Sequence, residues 1–229
     1  MRKMITVKIN GEERQYPQGA TYEDVTNDYQ QEYENLIALA ARDGKIRELF
    51  KKLTRDCEIT FFTLKDDVGN KTYVRSATML FLKAVFDVFG RETVQNCRVE
   101  FAIGNGSYIS PKGKINATEE NAAKIRNRMR ELVEAKTPFL KKSYSLDNAM
   151  ELFRREGMKD KEKLFRYRRG SFVNIYEMDG YYDYYYGYML PNAGYVKWRM
   201  RMDLCCCCRI KKILHMLSRF KRESCYSGR

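Results

Sequence analysis

The sequence predicts an α+β fold divided between two domains. Three observations carry that expectation. A length of 229 residues suits one large or two modest domains, and 44% hydrophobic residues supply real cores. A short apolar alternation closed by Asn10-Gly11 opens the chain. Capped stretches with helical periodicity, separated by strand-like runs, follow after residue 66.

The first elements read as a hairpin. Ile5, Val7 and Ile9 alternate with Thr6 and Lys8, Asn10-Gly11 turns the chain, and Arg14-Gln15-Tyr16 returns until Pro17 to Gly19 stops it. Thr21 is set to cap a helix, with Asp24 in the place of the capping-box acid, and Val25 and Tyr29 share its inner face. Leu36 to Ala40 reads as a strand or short helix, Asp43-Gly44 as a turn, and Ile46, Leu49, Phe50 and Leu53 as a short amphipathic piece. Glu58 to Leu64 closes the domain as a strand. Hairpin, helix and further short strands is the order of a ubiquitin-like β-grasp.

Past residue 65, Asp67 to Asn70 reads as a polar turn and Tyr73-Val74-Arg75 as a short extended piece. Ser76 then caps a helix running to Phe89, ended by Gly90. Arg98 to Ile103 alternates as a strand, with Gly104-Asn105-Gly106 turning it toward Tyr108-Ile109. This glycine turn lacks the GxxxxGK[ST] spacing of a phosphate loop. Thr118 caps a helix with Glu119 and Glu120 in its first turn and Ala122, Ile125, Met129, Leu132 and Val133 on its inner face. Ser145 caps another, with Leu146, Ala149, Met150 and Phe153 turned inward and Gly157 as the stop. Phe172 to Tyr176 reads as a strand. The segment after it brings the aromatics between residues 176 and 188 to seven. Such a cluster builds a hydrophobic wall with hydroxyls at its edge, stacks nucleobases, or lines a small-ligand pocket.

The 43 Lys and Arg against 30 Asp and Glu leave a net charge of +13, which favours polyanions without choosing among them. From Arg209 to Arg229 there are seven basic residues and one acid, Glu223. Ile210, Ile213, Leu214, Leu217 and Phe220 in that tail have helical spacing, as a membrane-surface or nucleic-acid-binding helix would. No apolar run is long enough to span a bilayer, and Met1-Arg2-Lys3 leads into alternation without a signal-peptide core. The adjacent Cys205 to Cys208 have neither disulfide-framework nor zinc spacing. With Cys57, Cys97 and Cys225 they fit a reducing cytoplasm and give no metal site.

Residues 1–65, through ITVKINGEERQYPQGATYEDV and IALAARDGKIREL, resemble a TGS domain, the β-grasp module of threonyl-tRNA synthetases and some GTPases. Residues 66–204 resemble the editing-domain fold shared by threonyl- and alanyl-tRNA synthetases. YVRSATMLFLKAV, NATEENAAKIRNRMRELV, SLDNAMELFRREGMKDKEKL and YDYYYGYMLPNAG carry the likeness in order. That family gathers a His-x-x-x-His and a Cys-x-x-x-His pair at one cleft. The matching positions here are Arg75 and Met79, then Tyr185 and Met189. Methionine cannot act as a base and arginine stays protonated, so the resemblance implies a cleft without editing chemistry and no catalytic residue.

The Tyr73-x-Arg75-Ser76 stretch and YYYGYMLPNAGYVKWRM further resemble bacterial uridine-kinase-like nucleoside kinases of the Firmicutes type. In that family the same pair of domains precedes a nucleotide-binding P-loop kinase domain. The resemblance implies a truncated relative. ATP and magnesium belong only to the missing domain, and residues 205–229 are an aberrant or partly ordered tail. The expected function is a non-catalytic accessory or regulatory module, with RNA or tRNA, self-association or the missing kinase domain as partners. Nucleoside kinase by family and nucleic-acid binder are the alternatives. Arg75, Tyr182, Tyr184, Tyr186 and Tyr188 are the candidate contacts for a ligand or RNA.

Overall fold

A computed structural model describes residues 4–95, 97–103, 106–111, 118–203 and 213–218. In chain order the strands are β1 (Met4–Ile9), β2 (Glu12–Pro17), β3 (Ile37–Arg42), β4 (Lys45–Glu48), β5 (Cys57–Thr63), β6 (Cys97–Ile103), β7 (Gly106–Pro111), β8 (Leu140–Ser145), β9 (Phe172–Met178), β10 (Tyr181–Asp183), β11 (Trp198–Asp203) and β12 (Ile213–Ser218). The helices are α1 (Tyr22–Tyr29), α2 (Asp67–Phe89), α3 (Arg91–Gln95), α4 (Glu119–Glu134), α5 (Leu146–Arg155) and α6 (Lys159–Arg166). The described residues form two compact units, divided within α2 and α4: residues 4–83 with 129–196, and residues 84–128 with 197 onward.

The first unit opens on a five-stranded sheet in the order β2-β1-β5-β3-β4, with β1 parallel to β5 and the other pairings antiparallel. Asn10 and Gly11 both take positive φ, the geometry that matches a two-residue hairpin to strand twist. The helix start is a complete capping box: Asp24 N–H donates to Thr21 Oγ1 at 3.1 Å, and Thr21 N–H to Asp24 Oδ2 at 2.7 Å. Ile5, Val7, Ile9, Tyr22, Val25, Tyr29, Ile37, Leu49 and Phe61 close one apolar core. Between the two readings open for residues 36–40, the structure takes the strand. Ile37 through Ala41 are buried consecutively, as a strand covered on both faces requires. Ile46 lies in β4, while Leu49 and Leu53 are buried in the turns after it.

The start of α2 corrects the sequence reading. Asp67 to Asn70 is its first turn, and Tyr73-Val74-Arg75 and Ser76 lie inside it. Asn70 N–H donates to Asp66 O at 2.8 Å, while the Asp66 carboxylate accepts from Thr63 N–H at 2.7 Å. Gly69 looks like turn chemistry but serves packing: a Cβ there would lie 2.0 Å from the Thr63 carbonyl oxygen. Thr72, Ser76 and Thr78 turn their hydroxyls back on the carbonyls of Val68, Thr72 and Val74, so these residues fit inside a helix. Residues 76–83 are buried without interruption, so this helix has no solvent face over two turns.

The same unit contains a three-stranded antiparallel sheet, β10-β9-β8, with α5 and α6 after β8. Ser145 caps α5 through Asn148 N–H, and Gly157 past its end has φ +71°. The Phe153 and Phe165 rings, 5.4 Å apart, pack α5 against α6. The second unit is built on an antiparallel sheet in the order β11-β12-β7-β6. In its helical segments Thr118 caps α4 through Asn121 N–H, and Arg128 pairs with Asp87 at 2.8 Å.

Residues 213–218, expected within an amphipathic helix, form β12, paired with both β11 and β7. Two ladders satisfy that backbone, which isolated helical spacing cannot outweigh. Cys205 to Cys208, Cys225 and the Gly104-Asn105 part of the glycine turn lie outside the described residues. Among the described residues no helix is long and apolar enough to cross a membrane, and no three His, Cys, Asp or Glu side chains gather as a metal site.

Gly69→Ala should destabilise the protein by about 1–3 kcal/mol in urea unfolding, because overpacking outweighs the better helix propensity of alanine. A gain in stability would show that the turn merely tolerates glycine.

Candidate functional site

The four positions matched to the editing quartet all lie in the first unit, on α2 and in the chain after β10. Arg75 and Met79 are one helical turn apart. Met79 and Met189 are fully buried, so both are packing groups. Arg75 Nε donates to Tyr188 O at 3.1 Å, and Ser76 Oγ accepts from Leu190 N–H at 2.9 Å. Ser76 Oγ also stands 3.8 Å from Met189 Sδ. The sequence-matched helix and loop therefore do meet, through backbone clamps.

Gly187 makes that approach feasible. Its φ is +130°, and a Cβ there would be 2.7 Å from the Arg75 guanidinium carbon. Burial lowers the Arg75 pKa, while the neighbouring Tyr176 hydroxyl and Glu48 carboxylate oppose the shift; a guanidinium starts so high that it stays charged.

Glu48, at the end of β4, is the residue that sequence reasoning missed. It is only 3% exposed. Its carboxylate accepts from Tyr176 Oη at 2.5 Å, Met189 N–H at 3.2 Å and Lys141 Nζ at 2.9 Å. Tyr176 Oη also lies 2.8 Å from Gly187 O, so one phenolic proton faces two acceptors. Lys141 Nζ stands 5.3 Å from the Tyr176 ring centroid and 6.0 Å from that of Tyr188. The available signal was local: Glu48 follows Ile46 by two residues and shares its strand face, a carboxylate where alternation asks for an apolar group.

The tyrosine-rich segment divides between interior and surface. Tyr176 and Tyr181 are buried, Tyr182, Tyr184, Tyr185 and Tyr188 are partly covered, and Tyr186 is 85% exposed. The Tyr185 hydroxyl is buried without a well-formed hydrogen bond. Burial first, then the Asp183 carboxylate, pushes its pKa well above the ordinary phenol value. Burial, the Glu48 charge and the hydrogen bond to Glu48 do the same to Tyr176. Tyr182 is raised more modestly, by burial and then Glu177. Tyr184 packs in a T-shaped arrangement with the Phe165 ring, and its hydroxyl accepts from Arg168 Nη1 at 2.6 Å. Tyr176, Tyr182 and Tyr185, with pKa values raised above that of an ordinary phenol, supply no base near neutral pH, and the cluster brings no imidazole or thiol to the four matched positions.

Comparison with known proteins agrees with the local likeness. Over most of its length this chain is similar to part of a threonine–tRNA ligase. It is 28% identical to the enzyme of Thermotoga maritima over 197 residues, covering 84% of this chain and 30% of that one. The Maricaulis maris enzyme is 27% identical over 83% of the chain, and the Symbiobacterium thermophilum enzyme 26% over 86%. The chain thus spans about 30% of the length of these relatives. No family model matches it.

Glu48→Gln should lower stability by about 2–3 kcal/mol, since it leaves Lys141 and Arg75 short of an anion. A double-mutant cycle with Tyr176→Phe should give a coupling of about 1 kcal/mol or more; additive losses would mean that the short contact carries no energy. The protein should also lose stability as pH rises. The raised phenols of Tyr16, Tyr176, Tyr185 and Tyr195 stay protonated in the folded state while the unfolded chain ionises near pH 10. Their stabilisation is complete below that pH and lost above it. Phenolate absorbance of these tyrosines should appear together with unfolding; their titration in the intact fold would contradict it.

Proposed function

We propose that this chain is a non-catalytic module of the threonine–tRNA ligase type that binds tRNA or another RNA. In this reading residues 1–65 are a TGS-like ubiquitin-like β-grasp and residues 66–204 an editing-domain-like fold without editing chemistry. The sheet order β2-β1-β5-β3-β4, with a helix after the first hairpin, supports the β-grasp assignment. Similarity to threonine–tRNA ligases over 84% of the chain supports tRNA as the partner class. One observation carries the loss of catalysis. The quartet positions hold two fully buried methionines, an arginine clamped to the Tyr188 carbonyl and a buried phenol of raised pKa.

The test is twofold. Purified protein should leave mischarged aminoacyl-tRNA to hydrolyse at its uncatalysed rate, yet bind tRNA with an affinity that falls steeply between 50 and 200 mM salt, roughly as phosphate contacts dictate. Catalysed deacylation that disappears in Tyr185→Phe would overturn the non-catalytic reading. Absence of RNA binding at low salt would overturn the binding one.

The Tyr73-x-Arg75-Ser76 stretch and the YYYGYMLPNAGYVKWRM segment support descent from a uridine-kinase-like protein. Reading the gene around and beyond codon 204 in all three frames tests this descent. A GxxxxGK[ST] followed by kinase-like sequence is expected, and a continuation of another class would refute it.

A further inference from the structure

We infer that the largely exposed segment running from the last turn of α6 into the start of β9, residues 163–172, is a single-stranded RNA-binding surface, with Tyr167 and Phe172 as stacking platforms and Lys163, Arg168 and Arg169 as phosphate contacts. The inference rests on the RNA-binding reading above and locates it away from the quartet positions.

The sequence here is KLFRYRRGSF, with four basic residues and no acid. Residues 166–172 are exposed without interruption. Tyr167 is 84% exposed and Phe172 67%, and Leu164 is exposed beside them. Large apolar groups concentrated in one short surface segment mark a binding site. Their setting selects its occupant: aromatic faces interleaved with arginine match bases strung on a phosphate backbone. A duplex keeps its bases stacked and offers those faces nothing, so the single strand is the fitting form.

The segment is held in place, and of its four cations only Arg166 is drawn into an ion pair among the described residues. Phe165 anchors its start, packed on Phe153 at 5.4 Å and T-shaped against Tyr184 at 5.0 Å. At its other end Ser171 O accepts from Leu146 N–H at 3.1 Å, and Phe172 pairs with Ser145 in the β8–β9 ladder. The acids nearest in sequence are at the start of α6. Glu162 is bridged by Arg154 at 3.2 Å and by Arg166 at 3.6 Å, and Asp160 precedes the segment by three residues. Arg168 turns to the Tyr184 hydroxyl, with its guanidinium carbon 5.5 Å from the ring centroid. Lys163 and Arg169 make no ion pair among the described residues. Tyr184, a candidate from the sequence, thus supports the surface by holding Arg168, whereas Tyr167 and Phe172 lie outside the tyrosine-rich run altogether.

Fluorescence anisotropy with the full chain tests this, using a labelled unstructured RNA of about 20 nucleotides and a duplex RNA of equal length. Tyr167→Ala and Phe172→Ala should each weaken single-strand binding about ten-fold and leave duplex binding within about three-fold. Arg169→Gln should weaken both and reduce the slope of log K against log salt by about 0.7 for the single strand. All three positions are exposed, so thermal midpoints should match the parent and separate lost binding from lost folding. Single-strand binding unchanged in the double aromatic variant would overturn this surface while leaving the RNA reading intact. No binding of either RNA at low salt would remove both. Aromatic-dependent binding of anionic lipid vesicles in place of RNA would assign the surface to a membrane and overturn the proposal.

Discussion

The Glu48 carboxylate sits at the end of a short strand of the first sheet, buried, and is answered by Lys141 of β8, the Tyr176 hydroxyl of β9 and the Met189 backbone N–H. An ionised group removed from water is tolerable only when its lone pairs are met by donors held in place. Here those donors come from segments about 90 to 140 residues distant along the chain. The segment from Gly187 to Leu190 depends on this. Its carbonyls and N–H groups are taken by Tyr176, Arg75, Glu48 and Ser76, so it is fixed by polar clamps from both domains proposed from the sequence.

That constraint explains why Arg75, Met79 and Met189 serve clamping and packing. Arg75 has room only because Gly187 lacks a Cβ, and its guanidinium is committed to the Tyr188 carbonyl. Met79 and Met189 fill interior space, with Ser76 bridging toward the sulfur. A catalytic quartet needs groups that exchange protons near neutral pH and face a substrate. Packed thioethers, a clamped cation and one phenol of raised pKa meet neither condition. The basic and aromatic side chains that remain in water lie elsewhere on the unit, at Tyr167, Arg168, Arg169 and Phe172.

The local elements were legible wherever short-range chemistry sets them. The Asn10-Gly11 hairpin, the Thr21–Asp24 box, the Ser145 cap and the Gly157 stop each depend on residues within a few positions. The sequence reading failed where residue types common in turns and caps served packing or the helix interior instead. Gly69 was read as a turn residue, but it makes room for the Thr63 carbonyl, and the hydroxyl-rich start of α2 bonds back along the helix. Helical spacing across residues 210–220 was outweighed, at 213–218, by pairing with two strands. β8 and α6 gave no pattern strong enough to be recognised, because one is largely exposed and the other is short with a single buried aromatic, Phe165.

By itself, then, the sequence determined the mixed α and β character of the chain, most helix caps and the chemical identities at Arg75, Met79, Tyr185 and Met189. Those follow from side-chain type and spacing, which the chain carries without folding. Only the tertiary structure decided that Glu48 closes the network around them, that the tyrosines divide between buried and exposed, and that Tyr167 and Phe172 stand in solvent beside arginines. Burial and partnership depend on which distant segments arrive at the same place, and no local spacing encodes that arrival.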